Sequence, residues 1–284
     1  MNKNFNITII KAKRSWFDLE FIDFWKYKDL LLLLIRRDFV TSYKQTILGP
    51  FWVIFQALTG SAVFTVIFGK IANIPTDGHP SFLFYLCGML SWQYFASVYG
   101  AGCNSLQSNL PIFSKVYFPR LIPPSSQAFF LVFNLLIQLL VLFLAIYIFR
   151  LNYPEIKSGP QIIAFFLPFL ILQSALLGLG MGFIVSSVSV KYRDFSRVAG
   201  MATQFLMYAS PVIYPISEIP EKYKAYLAWN PLTFIIETYR ELLLGHSTGC
   251  SLKYAIPSVF LTLIIFASGI AFYNRTQRSY VDFV

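Results

Sequence analysis

Four aromatic rings, Tyr85, Trp92, Phe95 and Tyr99, recur at steps of seven, three and four, a spacing that places them on one face of an α-helix. In an uncharged stretch, such a row either packs against neighbouring helices and lipid or stacks on the apolar faces of sugar rings and lets them slide. Gln127, Asn134 and Gln138 follow at steps of seven and four, again on one face. Amides in an apolar helix must bond across helices or line a wet path. Acid–base and nucleophilic chemistry have no comparable candidates, since the chain offers neither paired carboxylates nor a Ser/His/Asp set. His79 and His246 stand far apart with no Cys or carboxylate cluster beside either, so no metal site is expected. Cys87, Cys103 and Cys250 offer no disulfide framework. Gly69-Lys70 lacks the earlier glycine of a phosphate-cradling Gly-x-x-x-x-Gly-Lys-Ser/Thr loop. The chain is therefore read as a protein without catalytic residues, metal or cofactor of its own.

The elements that carry these residues are set by composition. Of 284 residues, 56% are hydrophobic, 18% aromatic and only 13% charged, which excludes an ordinary soluble domain. Six stretches free of Lys, Arg, Asp and Glu lie at about 48–69, 81–103, 123–149, 161–189, 198–216 and 254–273. A helix needs roughly 20 residues to cross a ~30 Å hydrocarbon core. Lipid gives backbone groups no partners, and these runs lack the alternation of a barrel, so the fold class is an all-α membrane protein with six transmembrane helices. The first 15 residues contain no apolar core followed by a cleavage site, so no cleaved signal peptide is expected.

Basic residues set the orientation. Residues 1–47 hold nine Lys or Arg, the connector after the second span two, the 191–197 loop three and the tail two. The remaining seven of the 23 fall on the opposite side. This bias predicts cytoplasmic termini at both ends. It also explains the net charge of +10 by contact with anionic membrane lipids, without nucleic acid.

Organisation follows as a cytoplasmic segment 1–47, a transmembrane domain 48–274 and a cytoplasmic tail 275–284. Before the first span, charges alternate with Trp16, Phe21, Phe24 and Trp25 at helical spacing, which predicts an amphipathic interface helix anchored by Arg36, Arg37 and Asp38. Gly49-Pro50 marks its turn into the membrane. The connector KVYFPRLIPPSS carries Lys115, Tyr117, Phe118 and Arg120, stiffened by Pro119, Pro123 and Pro124. In the fourth span, Ala175, Gly178, Gly182 and Ser186 form a small-residue face for close helix packing. The region 210–249 is too apolar for an exposed loop and too broken by Pro215, Pro220 and Pro231 to span. Two short helices are expected there, the second running from Pro231 to Leu244, with Glu237 placed to pair with Arg240 or flank Glu241. They form either re-entrant helices before the last span or a plain interfacial pair.

None of the six stretches contains an ionisable group of the kind that ion-driven carriers place at mid-membrane. Such a protein is passive, an enzyme, or powered by another subunit. Four segments, IRRDFVTSYKQTILGPFWVIFQ, NLPIFSKVYFPRLIPPSS, VSVKYRDFSRV and SPVIYPISEIPEKYKAYLAWNPLTFIIETYRELLLG, stand in a fixed order relative to the spans. Together they resemble the permease subunits of ABC-2 type transporters, particularly those exporting lipid-linked polysaccharides such as O-antigen, capsule or teichoic acid. Ala57 stands where relatives often have proline, and Val40-Thr41-Ser42 is less basic than usual.

The resemblance implies a permease in the bacterial inner (cytoplasmic) membrane. It implies pairing with a second copy of itself, docking of two ABC ATP-binding subunits that carry ATP and Mg, and a lipid-linked glycan substrate. Under it, Lys115, Tyr117, Phe118 and Arg120 couple to the ATPase. Arg36, Arg37 and Asp38 belong to a gate helix at the cytoplasmic entrance, and Lys191, Tyr192, Arg193 and Asp194 form a second cytoplasmic contact, their alternative being headgroup anchoring. Tyr85, Trp92, Phe95, Tyr99, Gln127, Asn134 and Gln138 are the candidate path, and Asn230, Pro231, Glu237, Arg240 and Glu241 the outer re-entrant region. Rival readings are a drug or lipid exporter of the same fold and a membrane-embedded glycosyltransferase or lipid-modifying enzyme.

Overall fold

A computed structural model of the chain describes residues 26–44, 46, 48–109, 118–153, 159–160, 162–192, 194–245 and 252–279. Helix α1 (Lys28–Tyr43) ends before a turn in which Gly49 adopts φ 45°, a left-handed backbone that glycine takes without steric cost. Pro50 then caps α2 (Phe51–Phe64), which continues as a π-helical segment, Thr65–Ile71. Next come α3 (Ser81–Cys103), the short α4 (Ser105–Ser108) and α5 (Ile122–Asn152), which is entered through Pro123 and Pro124. Prolines are tolerated in a first turn because their missing N–H groups would have no helical partner there. A 3-10 turn, Ile162–Phe166, leads into α6 (Leu167–Ser189), followed by α7 (Phe195–Tyr208). After a second 3-10 turn, Ile216–Glu218, come α8 (Glu221–Ala228), α9 (Pro231–Leu244) and α10 (Leu252–Ser279).

Four helical segments among the described residues are long and apolar enough to cross a membrane: Phe51–Ile71, Ile122–Asn152, Ala164–Ser189 and Tyr254–Thr276. They make this a multi-pass membrane protein. The other two expected spans fare differently from each other. Helix α3 has the length, but Tyr85, Trp92, Gln93 and Tyr94 dilute its hydropathy. It is also the hub of the bundle, packing against α2, α5, α6 and α9, so its surface meets protein more than lipid. The predicted 198–216 span is not one helix: α7 has 14 residues, and the chain breaks into turns after Tyr208. At 1.5 Å per residue α7 measures about 21 Å, short of the ~30 Å hydrocarbon core.

The close crossings depend on glycine. A Cβ on Gly182 would lie 2.7 Å from Gly102 Cα, and one on Gly269 would lie 2.3 Å from the Gly180 carbonyl oxygen. Gly178 sits against Val98 and Tyr99, and Ser186 Oγ lies 3.4 Å from Ser105 Oγ. The small-residue face of α6 thus meets α3 and α4, and Gly180 receives α10. Backbones that approach this closely gain dispersion along their whole contact, the main source of helix adhesion in lipid.

Polar contacts sort the connections into two ends. At one, the Tyr273 hydroxyl of α10 donates to Arg120 O at 3.3 Å, Gln107 donates to Ser189 O at 3.4 Å, and α1 packs on Phe118 and Ile122. At the other, Ser217 donates to Asp77 at 2.6 Å and Gly159 N–H donates to Leu244 O at 2.9 Å. The first end thus carries α1, the start of α5 and the ends of α6 and α10, and the second the 71–80 loop and the end of α9.

Candidate functional site

The aromatic row of α3 lies inside the chain. Tyr85 and Phe95 are 0% exposed, Trp92 6% and Tyr99 7%. Tyr85 meets Phe64 and Phe68 of α2 with ring centroids 6.2 and 6.4 Å apart. Trp92 leans on Phe95 at 5.5 Å, and Phe95 stacks with Tyr99 at 6.2 Å. Of the two uses open to such a row, the conformation seen is the packed one. A sugar would reach these faces only if helices packed on α3 parted from it.

The amide face of α5 divides. Gln127 is partly exposed and stands apart, whereas Asn134 and Gln138 turn towards α3 and α2. Gln138 Nε2 donates to Gln93 Oε1 at 3.0 Å, and with Gln56 and Ser97 these groups line a cavity of about 60 Å³. Tyr43, at the end of α1, donates its hydroxyl to Asn134 Oδ1. Gln56, Gln93, Ser97 and Tyr43 were not among the expected path residues. A signal did exist: Gln93 and Ser97 stand four apart on α3 and face the Asn134/Gln138 pair of α5.

At the basic end, Arg36 is exposed, while Arg37 forks onto Asp38 at 2.7 Å and Ser126 reaches Asp38 at 3.4 Å. Phe118 is buried with Leu34 and Ile122 beneath α1, alongside Tyr27, Leu30 and Leu31. The connector is therefore tied to α1 by apolar packing and to α10 by Tyr273. Arg120 is partly exposed at the head of α5. Lys115, Tyr117 and Arg193 lie outside the described residues. In the 191–194 loop, Lys191 sits 5.3 Å from the Tyr192 ring and both are exposed. Asp194 faces Arg197 at 3.5 Å, fully in the open.

At the opposite end, Asn230 caps α9 by accepting from Leu232 N–H at 3.1 Å, with Pro231 as the first helical residue. Gly245, at φ 84°, closes the helix in the left-handed conformation. Helix α9 is buried among α3, α6 and α10 over most of its surface. Glu237 pairs with Arg240 at 2.7 Å, both fully buried. Arg240 also donates to Val212 O at 2.6 Å and lies 3.8 Å above the Phe84 ring. A Cβ on Gly88 would sit 2.7 Å from its guanidinium, so glycine there makes room for the charge. Burial raises the Glu241 carboxyl above its ordinary pKa. This arrangement pins a short helix into a bundle.

The family described as "ABC-2 type transporter" matches residues 29–244. Over 258 residues the chain is 24% identical to an O-antigen export system permease protein RfbA of Klebsiella pneumoniae, covering 89% of this chain and 94% of that one. It is 22% identical to the protein of the same name from Myxococcus xanthus, covering 90% and 96%. It is 27% identical to the polysialic acid transport protein KpsM of Escherichia coli over 252 residues, covering 87% and 93%.

Proposed function

From the premise that this chain belongs to the ABC-2 type transporter family, we propose that it is the membrane-spanning permease of a polysaccharide exporter. The observation that carries this is the similarity to O-antigen and polysialic acid permeases along almost their whole length. Those relatives do not favour the drug-exporter or enzyme readings. Deleting the gene should leave the polysaccharide inside the cell, and plasmid-borne expression should return it to the surface. Surface polysaccharide that persists at normal levels after deletion would refute the reading.

The finer assignment has ATP bound and hydrolysed by a separate ABC subunit, two copies of which drive two copies of this chain in the bacterial inner membrane. A lipid-linked glycan is taken from the cytoplasmic side. Coupling runs through the connector that holds Lys115, Tyr117, Phe118 and Arg120. Phe118 serves by joining the connector to α1, the gate helix of Arg36, Arg37 and Asp38. The exposed Lys191–Asp194 loop offers a second contact at the same end. Pairing of copies is supported by α2 and α7, which leave most of their surface uncovered and each expose an amide, Gln56 and Gln204. Lipid cannot hydrogen-bond those amides. Helix α9, with Asn230, Pro231, Glu237, Arg240 and Glu241, acts as a fixed re-entrant element of the outer half. Its burial and its capping at both ends support that role.

A further inference from the structure

We propose that the amide-lined cavity between α2, α3 and α5 binds sugar hydroxyls of the transported glycan, and that Tyr43 competes for it by holding Asn134. The inference rests on the polysaccharide reading and adds to it a site and a release step. Three helices contribute its polar lining, Gln56 from α2, Gln93 and Ser97 from α3, Asn134 and Gln138 from α5, and Val53, Tyr94, Leu131 and Leu135 complete the wall. Each amide offers both donor and acceptor, and Ser97 adds a hydroxyl. No charge is among them. That set suits neutral hydroxyl groups, each of which also gives one bond and takes others, and it suits phosphate or ammonium poorly.

The volume of about 60 Å³ admits a few waters. It therefore accepts hydroxyls projecting from a ring and excludes the ring itself. Gln56 lies in the second turn of α2, Gln93 and Ser97 in the half of α3 nearer the basic end, and Asn134 four turns into α5. The site thus stands in the half of the bundle that a substrate from the basic end meets first. Gln138, 5% exposed, is already bonded to Gln93 and holds the two walls in register.

Asn134 is the member tied to a different element. Its acceptor takes the Tyr43 hydroxyl of α1. Among the described residues, other attachments of α1 include the small apolar cluster over Phe118 and Ile122, separate from the main core, ring contacts of Phe39 with Phe130 and Phe133 and of Tyr43 with Phe130, and the Asp38–Ser126 bond. A displacement of the connector therefore acts on α1 through Phe118. Withdrawal of Tyr43 would free Asn134 for a sugar hydroxyl.

The test is transport into proteoliposomes by the chain with its ATPase subunit. The probe is the lipid-linked glycan extracted from a strain lacking this gene. Gln93→Leu and Asn134→Leu should each raise the half-saturating glycan concentration about fivefold, the effect of one lost hydrogen bond. Asn134→Ser is the milder variant if leucine prevents folding. Tyr43→Phe should lower that concentration by a similar factor, because a competitor is removed. General destabilisation would reduce maximal rate in all variants without opposite shifts. Unchanged half-saturation in the amide variants, or a rise in Tyr43→Phe, overturns the inference while leaving the polysaccharide reading intact. Failure of the unaltered protein to transport the probe overturns both.

Discussion

Arg240 is the largest fully buried side chain among the described residues, and its environment explains why a cation is tolerated in an apolar bundle. Glu237 neutralises it, Val212 O takes one of its donors, and the Phe84 ring offers its negative face. Removing one partner of such a pair strands the other. Arg240→Met or Glu237→Leu alone should therefore cost about 3–5 kcal/mol. The double substitution should restore much of the loss, since apolar side chains suit the site. Thermal unfolding of the detergent-solubilised protein decides the matter; equal damage from the double and single variants would show that the pair is not the unit. At the same scale, Tyr273→Phe removes only the hydroxyl that meets Arg120 O. It should leave the protein folded but loosen the start of α5, measurable as faster amide hydrogen exchange at residues 120–122. The i, i+3 spacing of Glu237 and Arg240 made their pairing one of two arrangements open to Glu237, the other being to flank Glu241. Nothing local indicated Phe84, Val212 and Gly88, because they come from distant segments.

For the helices, the crossing of α3 with α6 is the most demanding contact. Gly182→Val would drive a branched side chain into Gly102 Cα and Tyr99 O, and neither backbone can retreat without opening the bundle. Little full-length protein should reach the membrane. Gly100→Ala, on the same helix as Gly102 but with nothing within 4 Å of its Cβ, should accumulate normally, and immunoblots of membranes compare the two. Helix α9 also shows how context overrides hydropathy. Its Glu and Arg would bar it from lipid, yet it is among the most buried elements, because protein encloses it on most sides. Helix α7 is the reverse case: apolar by composition, too short to span, and with Ala199 as its only buried residue.

Taken whole, the molecule has a basic end, where α1, the connector, the α6–α7 loop and the foot of α10 gather, and an opposite end closed by the 71–80 loop, α8 and α9. The proposed coupling to the ATPase subunit acts at the first end. Lys115→Glu with Arg120→Glu should release the ATPase subunit in co-purification while membrane insertion persists; undiminished co-purification would count against a coupling surface there. The proposed pairing of two copies uses the uncovered faces of α2 and α7. In a chain with Cys87, Cys103 and Cys250 replaced, a cysteine at Phe205 should cross-link two copies through a short bifunctional maleimide. The absence of a dimer band at Phe205 and at Trp52 would place the interface elsewhere.

Helicity, membrane embedding and the positions of the amide and aromatic faces can be read along the chain. Hydropathy, charge and helical spacing are properties of a few neighbouring residues, so they are legible in one dimension. The folded arrangement was needed to show that the α3 rings are packed inside one chain, that Phe118 turns inward to α1, and that Gln93 and Ser97 complete the amide cavity with Gln56. It also decided that the 198–216 stretch breaks after Tyr208. These outcomes depend on which faces of distant helices meet, and glycine pairs such as Gly102 with Gly182 fix that meeting only once the backbones have been brought together.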